Sequence, residues 1–324
     1  MKAIIHTRYG PPEGLVLSEV PKPDPKDHEV LVKVHASTIN DYDWAYLRGK
    51  PYIYRLMFGL FRPKLSVPGA EIAGTVEAAG RLATRFREGD RVYGDVSEAG
   101  FGGFAEYACV REDALAPMPA RLSFTEAAAL PHAGLLAWQG LVDLGNIRRG
   151  ERVLINGAGG GVGTLGVRIA KYFGCEVTGV DREPKLDALR SLGFDHVVDF
   201  RRTDFTRAGG KYDLILDAKT TRSPFRYLDA LAPGGRYVTV GGDLPRILQT
   251  FLWGPLLGRL TGKRLRVLAL KPNRGIDRIN GLVESDALRG VIDGPYRLEE
   301  VPRALARFGA ADHLGKIVIA IVCA

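Results

Sequence analysis

The feature that most constrains this chain is the junction at residues 153–173. Val153-Leu154-Ile155-Asn156 reads as a short buried strand, Gly157-Ala158-Gly159-Gly160-Gly161-Val162-Gly163 as a glycine-dense turn, and a helical run follows to Phe173. That order aims a helix N-terminus, with its unsatisfied N–H groups, at a pyrophosphate. Counting back from Gly163, which would let the helix lie close on the strand, puts Gly160 where the backbone approaches phosphate and Ala158 at the first-turn position. The motif is A-x-G-x-x-G, one departure from the dinucleotide pattern. A glycine-rich turn alone is an ordinary strand-to-helix connection, so context decides. Leu165, Val167, Ile169, Ala170 and Phe173 give the helix one apolar face, and Glu176–Asp181 reads as a second strand ending in an acid. A carboxylate there is what holds ribose hydroxyls in such folds. The expected cofactor-binding residues are therefore Ala158, Gly160, Gly161, Val162 and Gly163 at the phosphates, and Asp181 with its neighbour Arg182 at the ribose.

Upstream the pattern differs. Residues 1–118 are β-rich, with Val30, Val32 and Val34 alternating against Leu31, Lys33 and His35, prolines at 21, 23 and 25, and further strands at 70–79 and around Val92. Short strands and many turns predict an antiparallel, barrel-like domain. Ser123-x-x-Glu126 is a capping-box signature that starts helices running to Leu144. From Glu151 the rhythm becomes strand, helix, strand, helix, with strands expected near 153–156, 177–181, 196–199, 212–217, 237–241 and 265–270. This alternation predicts an α/β, doubly wound parallel sheet. Residues 245–260 are rich in Leu, Phe and Trp and read as a packed insertion helix, a dimer contact or a lid. Helices near 276–289 and 299–308 and a strand at 316–322 close the chain.

Composition narrows the function classes. The net charge of +8 comes from lysines and arginines scattered along the 324 residues, without the aromatic-plus-basic stretch of a nucleic-acid reader. Cys109, Cys175 and Cys323 show neither disulfide nor metal spacing. With no signal peptide or spanning run, the expectation is a cytoplasmic enzyme with a small-molecule substrate, no nucleic acid and no membrane partner, possibly a homodimer.

Several further pieces run the length of the chain: Ala36-Ser37-Thr38-Ile39-Asn40-Asp41-Tyr42-Asp43, Pro68-Gly69-Ala70-Glu71-Ile72-Ala73-Gly74, Gly89-Asp90-Arg91-Val92-Tyr93-Gly94, Gly103-Phe104-Ala105-Glu106-Tyr107, and Gly315-Lys316-Ile317-Val318. Their order and spacing, together with the glycine turn, resemble the medium-chain dehydrogenase/reductase superfamily, in its zinc-independent quinone oxidoreductase-like branch. The resemblance implies a Rossmann sheet (residues 119–270) inserted into a GroES-like, partly open barrel domain made from both chain ends (1–118 and 271–324), with the active site in the cleft. Metal-using relatives carry a Cys ligand where this chain has Asn40 and a His ligand where it has Ala70; the third position falls on His132. One imidazole and no thiolate cannot make a catalytic zinc site, which needs three protein ligands.

The implied activity is NAD(P)H-dependent hydride transfer to a quinone or α,β-unsaturated carbonyl. A zinc-independent alcohol dehydrogenase acting on a specialised metabolite and a non-catalytic nucleotide-binding protein are the alternatives. Tyr42 is the candidate proton donor, or a tyrosine packed inward. Asn40 is a candidate amide donor, or the cap of the helix at Asp41. His132 is a candidate proton carrier, or a satisfied buried histidine. Gly241-Gly242 and Lys271-Pro272-Asn273 follow sheet strands on the edge where ligands of such folds bind, which makes Gly241, Gly242, Lys271 and Asn273 cofactor candidates. The residues around the ribose pull two ways. Asp181 repels a 2′-phosphate and Phe200 lacks the hydroxyl that NADPH-using relatives present, whereas Arg182 and Lys185 attract one. On balance NADH is expected over NADPH.

Overall fold

The structure, a computed structural model, describes residues 1–321; Cys323 and the end of the expected last strand lie outside them. The chain folds into two compact units. One comprises residues 1–132, 272–280 and the chain from 292 onward, and the other residues 133–271 and 281–291. The division falls after His132, not near residue 118, because the capped helix Phe124–Ala128 belongs to the first unit. Its capping box forms as the sequence indicates: the Ser123 side chain accepts the Glu126 N–H and the Glu126 carboxylate accepts the Ser123 N–H.

The first unit is built on strands β1 (Lys2–Ile5), β2 (Val16–Glu19), β3 (Glu29–Thr38), β4 (Glu71–Ala79), β5 (Arg91–Asp95), β6 (Tyr107–Arg111) and β7 (Ala116–Pro117). Strand β3 is its spine. One side of β3 pairs along its length with β4, and its first half also pairs with β6. Its last three residues pair antiparallel with the returning C-terminal strand Lys316–Ala320, so Ala36, Ser37 and Thr38 are buried on both faces. The alternation seen in the sequence therefore holds only from Val32 to Ala36, Leu31 being buried like the valines on either side of it. Val30, Val32, Val34, Ile72, Val76, Val92 and Val110 fill one apolar cluster. A second cluster gathers Ile4, Ile39, Leu47, Phe104, Leu305 and Ile317, and their burial is the main favourable term holding the two chain ends together.

The second unit is the doubly wound sheet. Strands β8 (Arg152–Asn156), β9 (Glu176–Asp181), β10 (His196–Asp199), β11 (Tyr212–Asp217), β12 (Leu231–Thr239) and β13 (Arg264–Val267) lie in the order β10-β9-β8-β11-β12-β13, every pair parallel. The order reverses between β8 and β11, and the turn after β8 opens at that switch point, where ligands of such sheets bind. β12 begins earlier than the sequence suggests, at Leu231, because Pro233 and two glycines sit inside an irregular stretch of it rather than before it. Residues 244–261 form one helix, Leu244–Thr261, packed on the sheet through Thr250, Gly254 and Leu257. The remaining strands, β14 (Ile292–Arg297) and β15 (Lys316–Ala320), return to the first unit and pair parallel with each other. β14 has no clear period-2 pattern and was not expected.

Candidate active site and cofactor turn

The glycine turn does what its spacing demands. Gly157 leaves β8 with φ +83°, and the N–H groups of Gly157 and Ala158 both reach the Val180 carbonyl of β9. Gly160 caps the helix Gly161–Tyr172, and the first helical bond runs from Thr164 N–H to Gly160 O. The amides of Gly161, Val162 and Gly163 make no hydrogen bond with any described residue. They are the free donors that an anion at a helix N-terminus takes up. A Cβ on Gly163 would lie 2.4 Å from the Ala158 carbonyl oxygen, so this glycine lets the helix seat on the turn. A Cβ on Gly160 would meet nothing closer than 3.5 Å, which leaves the approach to its backbone open. These residues fit a dinucleotide.

Asp181, at the end of β9, is nearly buried and its carboxylate is held from both sides. Oδ2 accepts the Gly159 N–H at 2.8 Å and Oδ1 the Arg182 N–H at 2.9 Å, with the Lys185 ammonium 4.0 Å from Oδ1. Asp181 and Lys185 thus sit together beside the glycine turn, as expected. Phe200 is next to them, its N–H bonded to the Asp181 carbonyl. Gly242 lies against Thr220 through a backbone bridge after β12, and Gly241 accepts the Thr220 N–H. Lys271 has its backbone clamped by the Gln139 amide, donating at 3.1 Å and accepting at 2.9 Å. Asn273 belongs to the first unit, and its amide is spent on the Asp95 backbone: Oδ1 accepts the Asp95 N–H at 2.9 Å and Nδ2 donates to the Asp95 carbonyl at 2.8 Å. It braces Asp95 from within the first unit.

In the first unit, four segments bring charged groups into one buried cluster. β3 runs into Asn40, β4 begins at Glu71, β15 begins at Lys316, and His132 opens the helix Pro131–Trp138. The Glu71 carboxylate is fully enclosed. Its Oε1 accepts the His132 N–H at 2.6 Å, and its Oε2 accepts Asn40 Nδ2 at 2.8 Å, Lys316 Nζ at 2.6 Å and the Thr38 hydroxyl. Lys316 also donates to Asn40 Oδ1 and, at 3.4 Å, to the Ile39 carbonyl. A buried carboxylate with an ammonium and three further donors is stable only because every partner is in place. Asn40 therefore bridges acid and base, and its backbone N–H is taken by Asp43. Asp43, with Gly69 N–H on its other oxygen, is pushed up to about 7 by burial, which outweighs both hydrogen bonds.

Beside this cluster stands a second pair. His132 Nδ1 lies 2.7 Å from Asp95 Oδ2, while Asp95 Oδ1 accepts the Ser97 N–H at 3.0 Å. Burial works to lower the imidazole's pKa, but the charge and hydrogen bond of Asp95 overcome it and hold His132 above its ordinary value. The same pairing overcomes burial at Asp95 and keeps that carboxyl below the usual range. The Tyr42 ring packs edge-on against the imidazole with centroids 5.2 Å apart. Burial and then the nearby Asp95 raise the Tyr42 pKa, so the phenol keeps its proton. Neither Tyr42 Oη nor His132 Nε2 hydrogen-bonds to any described residue. Glu71, Lys316, Asn40, Asp43 and Asp95 around them are all engaged.

The three positions that correspond to metal ligands do not make a donor set. Asn40 is tied to Glu71 and Lys316, Ala70 offers no donor, and His132 has one nitrogen left. Among the described residues no group of three or more His, Cys, Asp or Glu is arranged to hold a metal ion. An ammonium already sits against Asn40, which opposes a second cation there.

Comparison with known proteins agrees with this architecture. The alcohol dehydrogenase GroES-like domain family matches residues 26–120, and the zinc-binding dehydrogenase family residues 192–319. A chloroplastic quinone-oxidoreductase homologue of Spinacia oleracea is 32% identical over 98% of this chain and 98% of its own. The chain belongs to the medium-chain dehydrogenase/reductase superfamily, in its quinone oxidoreductase-like branch. It is an NAD(P)H-dependent oxidoreductase. A chloroplastic NADPH-dependent alkenal/one oxidoreductase of Arabidopsis thaliana is 30% identical over 98% of this oxidoreductase and 79% of its own length. The solved quinone oxidoreductase of Coxiella burnetii superposes with a TM-score of 0.87 at 27% identity, over 99% of both chains. Glu71, Asp95 and Lys316 were missed as site residues by sequence reasoning. The signal available was a charge at the end of a largely apolar strand, which is rarely buried unless paired.

Proposed function

We propose that this oxidoreductase reduces a quinone or an α,β-unsaturated carbonyl with NADH and without a metal ion. The observation that carries the reading is the pair of uncommitted polar atoms, Tyr42 Oη and His132 Nε2, side by side at the margin of a network in which all else is satisfied. NADH supplies the hydride when bound at the glycine turn. The acceptor's oxygen then gains charge, and a neutral phenol held above its ordinary pKa is suited to donate a hydrogen bond and finally a proton to it. An imidazolium against the Tyr42 ring stabilises the charge left on the hydroxyl. A conjugated acceptor is already electrophilic, so no Lewis acid is needed, in keeping with the incomplete ligand set at Asn40, Ala70 and His132. Asn40 we assign to holding Lys316 and Glu71 together, not to substrate.

The cofactor reading rests on Asp181. Its carboxylate repels a 2′-phosphate and accepts ribose hydroxyls, and the Lys185 ammonium at 4.0 Å only partly offsets that charge. The sparse cysteines, of which Cys109 and Cys175 are free thiols, support residence in a reducing compartment such as the cytoplasm. Replacing Tyr42 by Phe should lower kcat about a hundred-fold and leave the KM for cofactor unchanged. An unaltered kcat with the best acceptor returns Tyr42 to a packing role.

A further inference from the structure

The helix Leu244–Thr261 presents an apolar face that the chain leaves uncovered. Its inner side, Thr250, Gly254 and Leu257, is buried on the sheet. On the outer side Leu248, Phe251, Leu252, Leu256 and Leu260 follow one another at helical spacing, with Phe251 67%, Leu252 69% and Leu260 74% exposed. Trp253 and Phe225 extend the surface, their rings 6.2 Å apart and both about half exposed. A contiguous apolar surface of this kind marks an interaction site.

Charge selects the occupant. Residues 244–271, all of the second unit, hold six Lys or Arg and no Asp or Glu. Arg259 rises from the middle of the apolar face, one turn beyond Pro255 and Leu256, and makes no ion pair with any described residue. A second copy laid face to face would bury that guanidinium with no acid on either helix to meet it, and an unpaired buried charge costs several kcal/mol. Edge-to-edge pairing of β13 with its own copy would set Arg264 and Arg266 against their equivalents across the strand pair, and like charges opposite each other destabilise such pairs. An anionic lipid surface carries neither penalty. The leucines and phenylalanines enter the acyl boundary, Trp253 lies at headgroup depth, and Arg259 extends its stem over apolar surface to reach phosphate.

We propose that this helix docks the protein on an anionic bilayer surface, lying in the interface without crossing it. None of the helices among the described residues is long and apolar enough to span. The expectation of no membrane partner came from cations scattered along the sequence; the fold places Arg259 within one exposed apolar helix face.

The test is flotation of the full chain with vesicles of phosphatidylcholine alone and of phosphatidylcholine with phosphatidylglycerol, at low and high salt, with light scattering on the free protein. The expected result is partitioning to the phosphatidylglycerol vesicles that weakens with salt. Arg259→Gln should reduce it about five-fold and Leu252→Glu about ten-fold or more, with unchanged thermal unfolding midpoints. Absence of binding to either vesicle overturns the proposal, as does binding that ignores both substitutions. A dimer that Leu252→Glu converts to monomer, without vesicle binding, shows that a second copy covers the helix and also overturns it.

Discussion

Lys316→Met tests the buried network most sharply. Lys316 and Glu71 lie 2.6 Å apart with side-chain exposures of 6% and 0%, so removing the ammonium leaves a carboxylate enclosed without its counter-charge. Breaking a buried pair from one side costs roughly 3–5 kcal/mol. Thr38, Asn40 and the His132 N–H still donate to Glu71, which places the loss near the lower end, about 3 kcal/mol, or about a hundred-fold in the opening equilibrium. Because the chain has two units, the assay should be local: hydrogen exchange read by mass spectrometry on peptides from β3 and β4, with β8 and β9 as the internal reference. Adding Glu71→Gln to Lys316→Met replaces two charges by two neutral groups and should recover more than half of the loss, since the remaining donors can still reach the amide oxygen. The β8 and β9 peptides should not change. Protection in β3 and β4 within about 0.5 kcal/mol of the parent, the scale of an exposed pair, would refute the network's role. A double variant as unstable as the sum of the singles would refute the coupling.

Two further outcomes are expected. His132 is held above its ordinary pKa and Asp95 below its own. The histidine's stabilising contribution is therefore complete below about 6.5 and is lost as pH rises through its raised value. That of Asp95 is complete above about 3.9 and is lost as pH falls through its lowered value. kcat should fall as pH rises past the raised histidine pKa, and His132→Asn should abolish that limb; an identical profile in the variant removes His132 from proton transfer. Asp181→Ser should move the ratio of kcat/KM for NADPH over NADH upward by about ten-fold, the effect of removing one adjacent like charge; a parent enzyme that already favours NADPH would mean Asp181 does not govern the choice.

Much of this arrangement was readable in the chain, and the reasons are local. Gly163, Gly157 and the strand before them act through backbone geometry between near neighbours, so the turn could be placed by spacing. The capping box at Ser123 is a contact three residues apart. The site network is different. Glu71, Lys316, Asp95 and His132 come from segments as distant as 245 residues, and only the pairing of β15 with the end of β3 brings Lys316 beside Asn40. Asn273 shows the same limit: its position after the last sheet strand says nothing of Asp95, yet the chain has by then crossed back to the first unit and delivers the amide to the Asp95 backbone. The helix at 244–261 was legible as apolar, whereas which face the sheet would cover depended on Gly254, the position that lets the helix approach Leu265.

The central claim is metal-free hydride transfer from NADH to a conjugated acceptor. The direct measurement is the rate of NADH oxidation with a panel of quinones and enones, made on protein treated with chelator and assayed for zinc. The account predicts full turnover with at least one such acceptor at zinc well below one per chain. Turnover that disappears on chelation and returns with about one bound zinc per chain, or no NADH oxidation with any conjugated acceptor, would contradict it.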